Sequence, residues 1–312
     1  MLASMKNVIK RFGDQTVVDH FNLDVVEGEV LGLLGPNGAG KSTVINMLCG
    51  LINADAGEVM LFGQKQSVKN LDARRKLGLV TQDITLFSQL SVLENLQYIG
   101  GLYGLRGSEL KERVKEVLKF IDLADHVKKK PKQLSGGMQR RLNIGCALMH
   151  RPKLLIMDEP TVGIDPQSRN HILESVKKLA GQGTTVIYTS HYMEEVQAVC
   201  DRIVIMDTGR VIAEGTVEEL IRRASHESSI HLTAISPSTA LTKHLKAVSG
   251  VKQVILNGNK YTIVSNLESG NINRITEIAQ QYGGIAGITE ETTTLEDVFL
   301  TLTGKTLRDG VK

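Results

Sequence analysis

The first part of the chain alternates between short apolar runs and segments whose apolar residues recur at helical spacing. Residues 17–25 alternate between apolar and polar side chains, which predicts an amphipathic strand, and the glycine-bounded run Val30–Leu34 predicts a buried one. Four further apolar runs predict additional strands at Leu77–Val80, Leu154–Met157, Thr185–Tyr188 and residues 203–206. Because helical segments separate these runs, the pattern predicts an α/β domain built on an open, parallel sheet.

Helical spacing continues throughout residues 90–120, where Leu93, Leu96 and Ile99 fall on one side. This region predicts a helical subdomain that spans about residues 83–150. A hairpin around residues 207–209 and a helix over residues 216–224 close the first domain. We therefore predict that the first domain comprises residues 1–224.

A second pattern begins after the polar segment 225–229, which has the composition of a linker. Predicted strands at 230–235, 251–256, 261–264 and 285–289 alternate with predicted helices at 238–248 and 271–282. Asn257 and Gly258 indicate a hairpin between the two middle strands. The order βαββαβ is that of a ferredoxin-like unit, closed by the helix Leu295–Thr303, so the sequence predicts a small C-terminal α+β domain at residues 225–312.

Charge and cysteine content narrow the possible partners. The 312 residues include 37 basic and 34 acidic side chains, and the net charge of +3 indicates neither a nucleic acid nor an anionic lipid surface. Cys49, Cys146 and Cys200 lie far apart without CxxC spacing, which argues against a disulfide framework or a zinc site. The apolar runs fall short of the roughly 20 residues that a membrane-spanning helix needs. Any membrane role is therefore expected to come through a partner.

A glycine-rich loop follows the buried strand Val30–Leu34 and precedes a helix predicted over residues 42–51, in the pattern G-x-x-x-x-G-K-[ST]. The loop consists of Gly35, Pro36, Asn37, Gly38, Ala39, Gly40, Lys41, Ser42 and Thr43. Its glycines let backbone N–H groups turn toward phosphate oxygens, and the positive end of the helix faces the same anion. We predict that it binds ATP, with Lys41 on the β- and γ-phosphates, the Ser42 hydroxyl on Mg²⁺ and Thr43 on a further phosphate oxygen.

Two adjacent carboxylates, Asp158 and Glu159, follow the apolar run Leu154–Met157. Burying them without cations would cost several kcal/mol each, to an order of magnitude. Mg²⁺ held partly by Asp158 offsets that cost, and Glu159 is placed to polarise the attacking water. By itself the pair would more often be two exposed carboxylates at a strand end, but the phosphate loop in the same chain favours the catalytic interpretation.

A third element, Leu134-Ser135-Gly136-Gly137-Met138-Gln139, opens a predicted helix. A serine followed by two glycines at a helix N-terminus suits a further anion site, because free N–H groups and the helix dipole converge there, although alone it would indicate a simple capped turn. Together with the phosphate loop and Leu-Leu-Ile-Met-Asp-Glu-Pro, this element resembles the ATP-binding subunits of ABC transporters over about residues 5–220. Met138 departs from the family, in which many members carry Gln.

The resemblance implies roles for isolated residues whose types alone indicate no function. Phe12 matches the aromatic residue that lies against adenine, Gln82 the glutamine that contacts Mg²⁺ and the attacking water, and His191 the histidine that contacts the γ-phosphate. Asp165 matches the loop that crosses the dimer interface, although Ile164 replaces the commoner Leu. The implied catalytic residues are thus Glu159, His191 and Gln82, and the implied Mg²⁺ ligands are Ser42, Gln82 and Asp158.

The resemblance also implies partners. In the family, two ATP-binding subunits form a head-to-tail dimer, so that Ser135, Gly136 and Gly137 of one subunit complete the site of the other. Residues 294–304 resemble the C-terminal signature of the daunorubicin-exporter-like branch, which works with separate ABC-2-type permeases. The resemblance implies an exporter subunit without a membrane-spanning segment of its own. In this branch the permease holds it at the cytoplasmic face of the membrane, where it drives out an antibiotic, lipid or other amphipathic compound.

Two alternatives stay open at this stage. One is a soluble ABC-type ATPase that acts on ribosomes or DNA, although neither a second ATP-binding unit nor a long heptad coiled coil is visible between Lys41 and Asp158. The other is a regulatory binder that uses its C-terminal domain to sense a ligand. The resemblance favours the exporter, with ATP and Mg²⁺ as cofactors and no nucleic acid as partner.

Overall fold

The computed structural model describes residues 1–224, 227–266, 270–291 and 293–304, and they form two compact units, one mainly Met1–Val217 and the other Glu218–Leu302. The strands are β1 (Ala3–Phe12), β2 (Gln15–Val25), β3 (Val30–Leu34), β4 (Ala56–Leu61), β5 (Gln64–Lys65), β6 (Leu77–Val80), β7 (Leu154–Met157), β8 (Thr185–Tyr188), β9 (Arg202–Asp207), β10 (Arg210–Gly215), β11 (Glu227–Ala234), β12 (Val251–Asn257), β13 (Lys260–Asn266) and β14 (Ile285–Glu291). The α-helices are α1 (Lys41–Leu48), α2 (Leu71–Arg74), α3 (Val92–Leu102), α4 (Gly107–Phe120), α5 (Gly136–Leu148), α6 (Pro166–Gly181), α7 (Met193–Val199), α8 (Val217–Ala224), α9 (Thr239–Lys246), α10 (Ile272–Tyr282) and α11 (Leu295–Thr303).

Along the chain, the boundary between the two units falls after Val217, seven residues before the end of the predicted first domain. Helix α8 accounts for the difference, since its contacts group it with the second unit. An amphipathic helix belongs to whichever core buries its apolar side, and Leu220 of α8 is 2% exposed. Residues 225 and 226 of the predicted linker, and residues 305–312 of the predicted C-terminal domain, lie outside the described residues, and the domain limits stay a prediction.

A six-stranded sheet with the order β10-β9-β3-β8-β7-β6 forms the centre of the first unit. Its neighbouring strands are parallel except for the hairpin of β9 and β10, which confirms the predicted α/β architecture. Both faces are buried, since Leu154 and Ile156 enter one core while Leu155 and Met157 enter another. This double burial explains the continuous apolar runs. The parallel order also brings the loops after β3, β6, β7 and β8 to one edge.

A second, antiparallel sheet with the order β2-β1-β4-β5 packs into the same core as helix α1. Only β2 was predicted from the sequence. Strand β1 shifts register against both of its neighbours, which interrupts the alternation of buried and exposed residues along it. The period-two signal is therefore too weak to predict β1 from sequence.

The helical subdomain consists of α3 and α4 packed with α5. The prediction that residues 90–120 are helical throughout is wrong, because α3 ends at Leu102 and α4 begins at Gly107. Gly104 between them has a φ of 90°, which a continuous right-handed helix cannot accommodate. Ser91 and Glu94 form a reciprocal capping box at the start of α3.

Asn95 of α3 fixes the loop that runs from β6 to α3. Its side chain is fully buried, accepts a hydrogen bond from Phe87 N at 2.9 Å and donates to the carbonyl oxygens of Phe87, Leu90 and Ser91 at 3.2, 3.0 and 2.9 Å. An irregular segment lacks the regular backbone hydrogen bonds of a helix or sheet, and the buried Asn95 amide supplies hydrogen bonds to its main chain instead. The loop it holds includes Gln82.

The second unit contains a four-stranded antiparallel sheet with the order β12-β13-β11-β14. In the chain order of its own strands this is second, third, first, fourth, the arrangement of a ferredoxin-like unit, as predicted. Helices α9 and α10 cover one face, where Leu241, Leu245 and Ile275 pack against Ile230 and Ile263. In the part of the chain that the structure describes, no helix combines the length and apolarity needed to cross a membrane.

We expect Asn95→Ala to lower the free energy of unfolding by about 1–3 kcal/mol, because it leaves Phe87 N and three carbonyls without their buried partner. Gln97→Ala, in the same helix but partly exposed, serves as the control and should cost under about 0.5 kcal/mol. Urea unfolding followed by far-UV circular dichroism measures both. Equal effects of the two substitutions would contradict the role given to Asn95.

Candidate functional site

The glycine-rich loop follows β3 and leads directly into α1, as the sequence predicts. Gly38 and Gly40 have φ angles of 82° and 104°, which side chains other than glycine rarely adopt. A Cβ atom on Gly35 would lie 2.4 Å from the Met206 carbonyl oxygen, so this position excludes any larger residue. Helix α1 has no side-chain cap and no acidic residue in its first turn, which leaves its N-terminal N–H groups to an external anion.

Lys41 is buried beneath this loop. Its Nζ donates to the carbonyl oxygens of Gly35 and Pro36 at 2.7 and 3.3 Å. Burial lowers the pKa of the Lys41 ammonium group, while the charges of Glu159 and Asp158 oppose that shift. A phosphate group next to the ammonium would replace weak carbonyl contacts with a charge-assisted interaction.

Asp158 stands at the end of β7 and is held by the neighbouring strand. Its Oδ1 accepts a hydrogen bond of 2.7 Å from the Thr189 hydroxyl, whose oxygen accepts one of 2.9 Å from Glu159 N. Burial raises the pKa of the Asp158 carboxyl group, an effect that the Thr189 hydrogen bond opposes and the charge of Glu159 reinforces. A nearby cation would favour the ionised form.

Glu159 is buried and is contacted from two sides. Gln82 Nε2 donates to Glu159 Oε2 at 3.0 Å, and His191 Nε2 lies 2.5 Å from Glu159 Oε1. The backbone of Glu159 has a φ of 47°, a left-handed conformation that costs a non-glycine residue about 1–3 kcal/mol. Such strain is typical of residues positioned for function.

These residues line one cleft of about 960 Å³. Of the predicted site residues, the cleft is lined by Asn37, Gly38, Ala39, Gly40, Lys41, Ser42, Thr43, Gln82, Glu159 and His191. Val17, Val162, Gly163 and Tyr192 also line it and were not predicted. Gly35 and Pro36 lie behind it as acceptors of Lys41, and Asp158 adjoins it through Glu159.

Ser135, Gly136 and Gly137 form a turn at the start of α5, which we call the signature turn, and α5 the signature helix. Neither this turn nor Asp165 lines the cleft. Ser135 caps helix α5 by accepting a hydrogen bond from Met138 N at 3.2 Å, and Asp165 caps α6 by accepting one from Ser168 N at 3.0 Å. A Cβ atom on Gly137 would lie 2.0 Å from Ser168 Oγ and 3.3 Å from Asp165 Oδ2, so the first turns of α5 and α6 pack together at Gly137. Ser135, Gly136 and Asp165 are exposed. Together they form one surface of the chain, separate from its own phosphate loop.

Phe12 also lies outside the residues that line the cleft. Its side chain is 52% exposed at the end of β1, and the Lys10 ammonium lies 5.4 Å from the ring centroid. An exposed aromatic ring is available for stacking, but this contact with Lys10 does not itself identify a ligand.

Oxygen-bearing side chains lie in and beside the cleft, which suits a hard cation such as Mg²⁺. The Ser42 hydroxyl, the Gln82 amide and the Asp158 carboxylate are the candidate donors. No group of three or more His, Cys, Asp or Glu side chains suited to holding a metal exists among the described residues. Such a donor set fits a cation that is bound together with phosphate oxygens, as Mg²⁺ usually is.

Arg140, one turn into the signature helix α5, was missed by the sequence analysis. Its side chain is 3% exposed, and its guanidinium group donates to Thr81 O at 2.6 Å and also to Gln82 O. Burial lowers the pKa of this group. The contact ties the signature helix to the backbone that carries Gln82. The sequence holds no signal for it, because Arg140 and its neighbour Arg141 look alike there.

Comparisons with known proteins agree with this site. The family model for ABC transporters matches residues 18–162. The chain is 44% identical over 307 residues to the linearmycin resistance ATP-binding protein LnrL of Bacillus subtilis (strain 168), which covers 97% of this chain and 99% of that protein. It is 37% identical over 309 residues to the Nod factor export ATP-binding protein I of Sinorhizobium fredii (strain NBRC 101917 / NGR234), covering 98% of this chain and 87% of that one.

Solved structures share the fold of the first unit. The dimeric post-hydrolysis state of the ATP-binding cassette MJ0796, bound to ADP and Pi, is 31% identical and has a TM-score of 0.63. That likeness covers 69% of this chain and 98% of the other. The predicted nucleotide-binding fold and the predicted ATPase activity are thereby confirmed.

We expect Arg140→Met to lower the rate of ATP hydrolysis, because Gln82 loses the contact that holds its backbone beside Glu159. The loss should be on the order of tenfold or more, as expected when a reacting group is displaced. Arg141→Met is the matched control, since Arg141 contacts Ile121 O and Asp122 instead. Steady-state phosphate release, normalised to the folded fraction, measures both. Equal rates in the two variants would contradict the link.

Proposed function

This chain belongs to the ABC transporter family as the ATP-binding, ATP-hydrolysing subunit of an exporter, and on that premise we propose that it drives an ABC-2-type permease as half of a head-to-tail dimer. The observation that supports the catalytic part is the convergence of Gln82 and His191 on Glu159 beside the loop that carries Lys41. The remaining roles follow from where each group lies in the cleft.

The loop amides and Lys41 bind the β- and γ-phosphates of ATP in this proposal. Ser42, Gln82 and Asp158 would hold Mg²⁺, which neutralises charge on the phosphate oxygens. Glu159 accepts a proton from the attacking water, and His191 holds the γ-phosphate. The water oxygen bonds to the γ-phosphorus as the bond to the leaving ADP oxygen breaks, giving ADP and inorganic phosphate.

The dimer part of the proposal rests on the surface formed by Ser135, Gly136, Gly137 and Asp165. Gly137 packs against Asp165 within the chain, yet none of the four residues lines its cleft. Exposed N–H groups at the start of α5 suit the phosphates of a nucleotide held by a second copy, with Phe12 against its adenine. Two copies placed head to tail complete both sites with the same residues.

The export part rests on the relatives. One is named for linearmycin resistance and another for Nod factor export. We accordingly propose that the transported compound is an antibiotic, lipid or other amphipathic molecule. The chain would lie at the cytoplasmic face of the membrane, held there by the permease.

Glu159→Gln should keep ATP binding and remove at least about 10²-fold of the hydrolysis rate, because the amide cannot accept the proton of the attacking water. The uncharged side chain also removes repulsion from the γ-phosphate, so the variant should accumulate as an ATP-bound dimer of the 34.1 kDa chain. Phosphate release and light scattering after gel filtration measure the two effects. A variant that hydrolyses ATP at the parent rate would sink the role of Glu159.

We expect the tagged full chain, purified from detergent-solubilised membranes, to bring down a polytopic permease encoded beside it. Mass spectrometry identifies the partner, and an untagged strain controls for background. Co-purification with ribosomal proteins or DNA, and no permease, would overturn the exporter assignment in favour of the alternative ATPase.

A further inference from the structure

Glu195 is a buried acidic residue that none of the sequence motifs includes. It lies in helix α7, close after His191, and is 2% exposed. A carboxylate this far from water is costly unless hydrogen-bond donors and a cation surround it. The structure provides both.

Three hydroxyl groups donate to a single oxygen of this side chain. Thr161 Oγ1, Tyr188 OH and Ser190 Oγ lie 2.7, 2.9 and 2.6 Å from Glu195 Oε2. The other oxygen, Oε1, lies 3.3 Å from Arg169 Nε, in an ion pair whose geometry is not that of a hydrogen bond.

These partners come from three elements that border the cleft. Thr161 lies two residues after Glu159, Tyr188 and Ser190 lie at the end of β8, and Arg169 lies in α6, just after Asp165. One carboxylate thus joins the loop after β7 to the loop after β8.

The same carboxylate controls the backbone on both sides of His191. Ser190 donates to Glu195, and its hydroxyl oxygen also accepts a hydrogen bond of 3.0 Å from Tyr192 N. The ring of Tyr192 lies 4.4 Å from the Arg169 guanidinium carbon, which is itself paired with Glu195. His191 is therefore enclosed between two residues that Glu195 holds.

The imidazole ring of His191 has little else to orient it. Its Nε2 contacts Glu159, but its Nδ1 is buried and has no hydrogen-bond partner among the described residues. The second nitrogen of a functional histidine is commonly fixed by a carbonyl or carboxylate. Here the orientation has to come from the backbone of residues 190–192.

We propose that Glu195 is a positioning residue that holds His191 against Glu159 by linking the loops at Thr161 and Ser190. This inference rests on the catalytic roles proposed for Glu159 and His191. Because Thr161 precedes Asp165, the link also makes the position of His191 depend on the loop that faces the proposed second copy.

Glu195→Gln tests the link with a nearly unchanged shape. The amide oxygen still accepts hydrogen bonds from the hydroxyl groups, but the amide NH₂ group repels the N–H groups of Arg169. The network therefore loses the negative charge that is paired with Arg169. We expect kcat for ATP hydrolysis to fall on the order of 10²-fold, as for a displaced reacting group. The affinity for ADP should stay within about threefold, since the phosphate loop is untouched and ADP lacks the γ-phosphate that His191 holds.

Two further variants sharpen the test. Glu194→Gln makes the same change at the exposed neighbouring residue and should leave kcat at the parent value. Ser190→Ala removes the hydroxyl that passes the constraint to Tyr192 N, and should lower kcat in the same direction. Its effect and that of Glu195→Gln should be less than additive in the double variant, because both break one path.

Nuclear magnetic resonance of ring-labelled histidine gives a readout independent of activity. The chain has eight histidines, and His191→Gln identifies the signal of His191. We expect that signal to shift or broaden in Glu195→Gln and Ser190→Ala, and to stay in place in Glu194→Gln. Thermal unfolding records the folded fraction of each sample.

An unchanged His191 signal in folded Glu195→Gln, or a loss of activity no larger than the loss of folded protein, would overturn the proposal and reduce Glu195 to a structural residue. Failure of the parent chain to hydrolyse ATP would instead remove the proposed catalytic roles. The histidine signal distinguishes these cases, since it reports the position of His191 whether or not the chemistry occurs.

Discussion

Two adjacent carboxylates at the end of β7 have to be held where little water reaches them, and much of the surrounding structure follows from that constraint. The Asp158 carboxylate accepts a hydrogen bond from the Thr189 hydroxyl. The Glu159 carboxylate accepts one from Gln82 and is contacted by His191. These contacts come from just after the two strands that flank β7, since Gln82 follows β6, and Thr189 and His191 follow β8. A parallel sheet brings the carboxyl ends of its strands to one edge, so the fold itself places the groups that stabilise these carboxylates next to them.

Buried charges also link separate segments of this site. Arg140 joins the signature helix to the loop that carries Gln82, and Glu195 joins the loop after β7 to the loop that carries His191. Exposed ion pairs contribute little, with a median near 0–1 kcal/mol to an order of magnitude, because water screens them. Removing one partner of a buried charge costs several times more free energy, because the remaining charge is left without compensation away from water.

The chain does not complete its own proposed site. Gly137 packs against Asp165, and these residues lie apart from the cleft that Lys41 and Glu159 line. In the proposed dimer, Arg140 and Glu195 would connect that surface to the catalytic side chains within each copy. Hydrolysis would then depend on how the second copy is seated, which is the property a transport subunit needs in order to couple ATP to movement.

Local sequence was sufficient for several features of this protein. The apolar run of β3, the glycines at positions with positive φ and the carboxylates after β7 are properties of neighbouring residues, and they predicted the phosphate loop and the central sheet. The ferredoxin-like order of the second unit was likewise predictable, because each of its elements has a clear period. Strand β1 was not, since register shifts disturb its alternation, and the glycine turn between α3 and α4 was hidden within a helical pattern.

Tertiary structure alone decided which distant side chains meet. Other elements separate the partners of these contacts along the chain: Thr189 and Asp158, Arg140 and the loop that carries Gln82, and Glu195 and its partners Thr161 and Arg169. A residue type carries no record of a partner that the fold brings to it from elsewhere. The sequence by itself determined that this protein has a glycine-rich phosphate loop, two adjacent carboxylates after an apolar strand and a Ser-Gly-Gly turn at the start of a helix. Only the packing of strands and helices decided how those groups are held, because burial, which makes their charges matter, exists only in the folded chain.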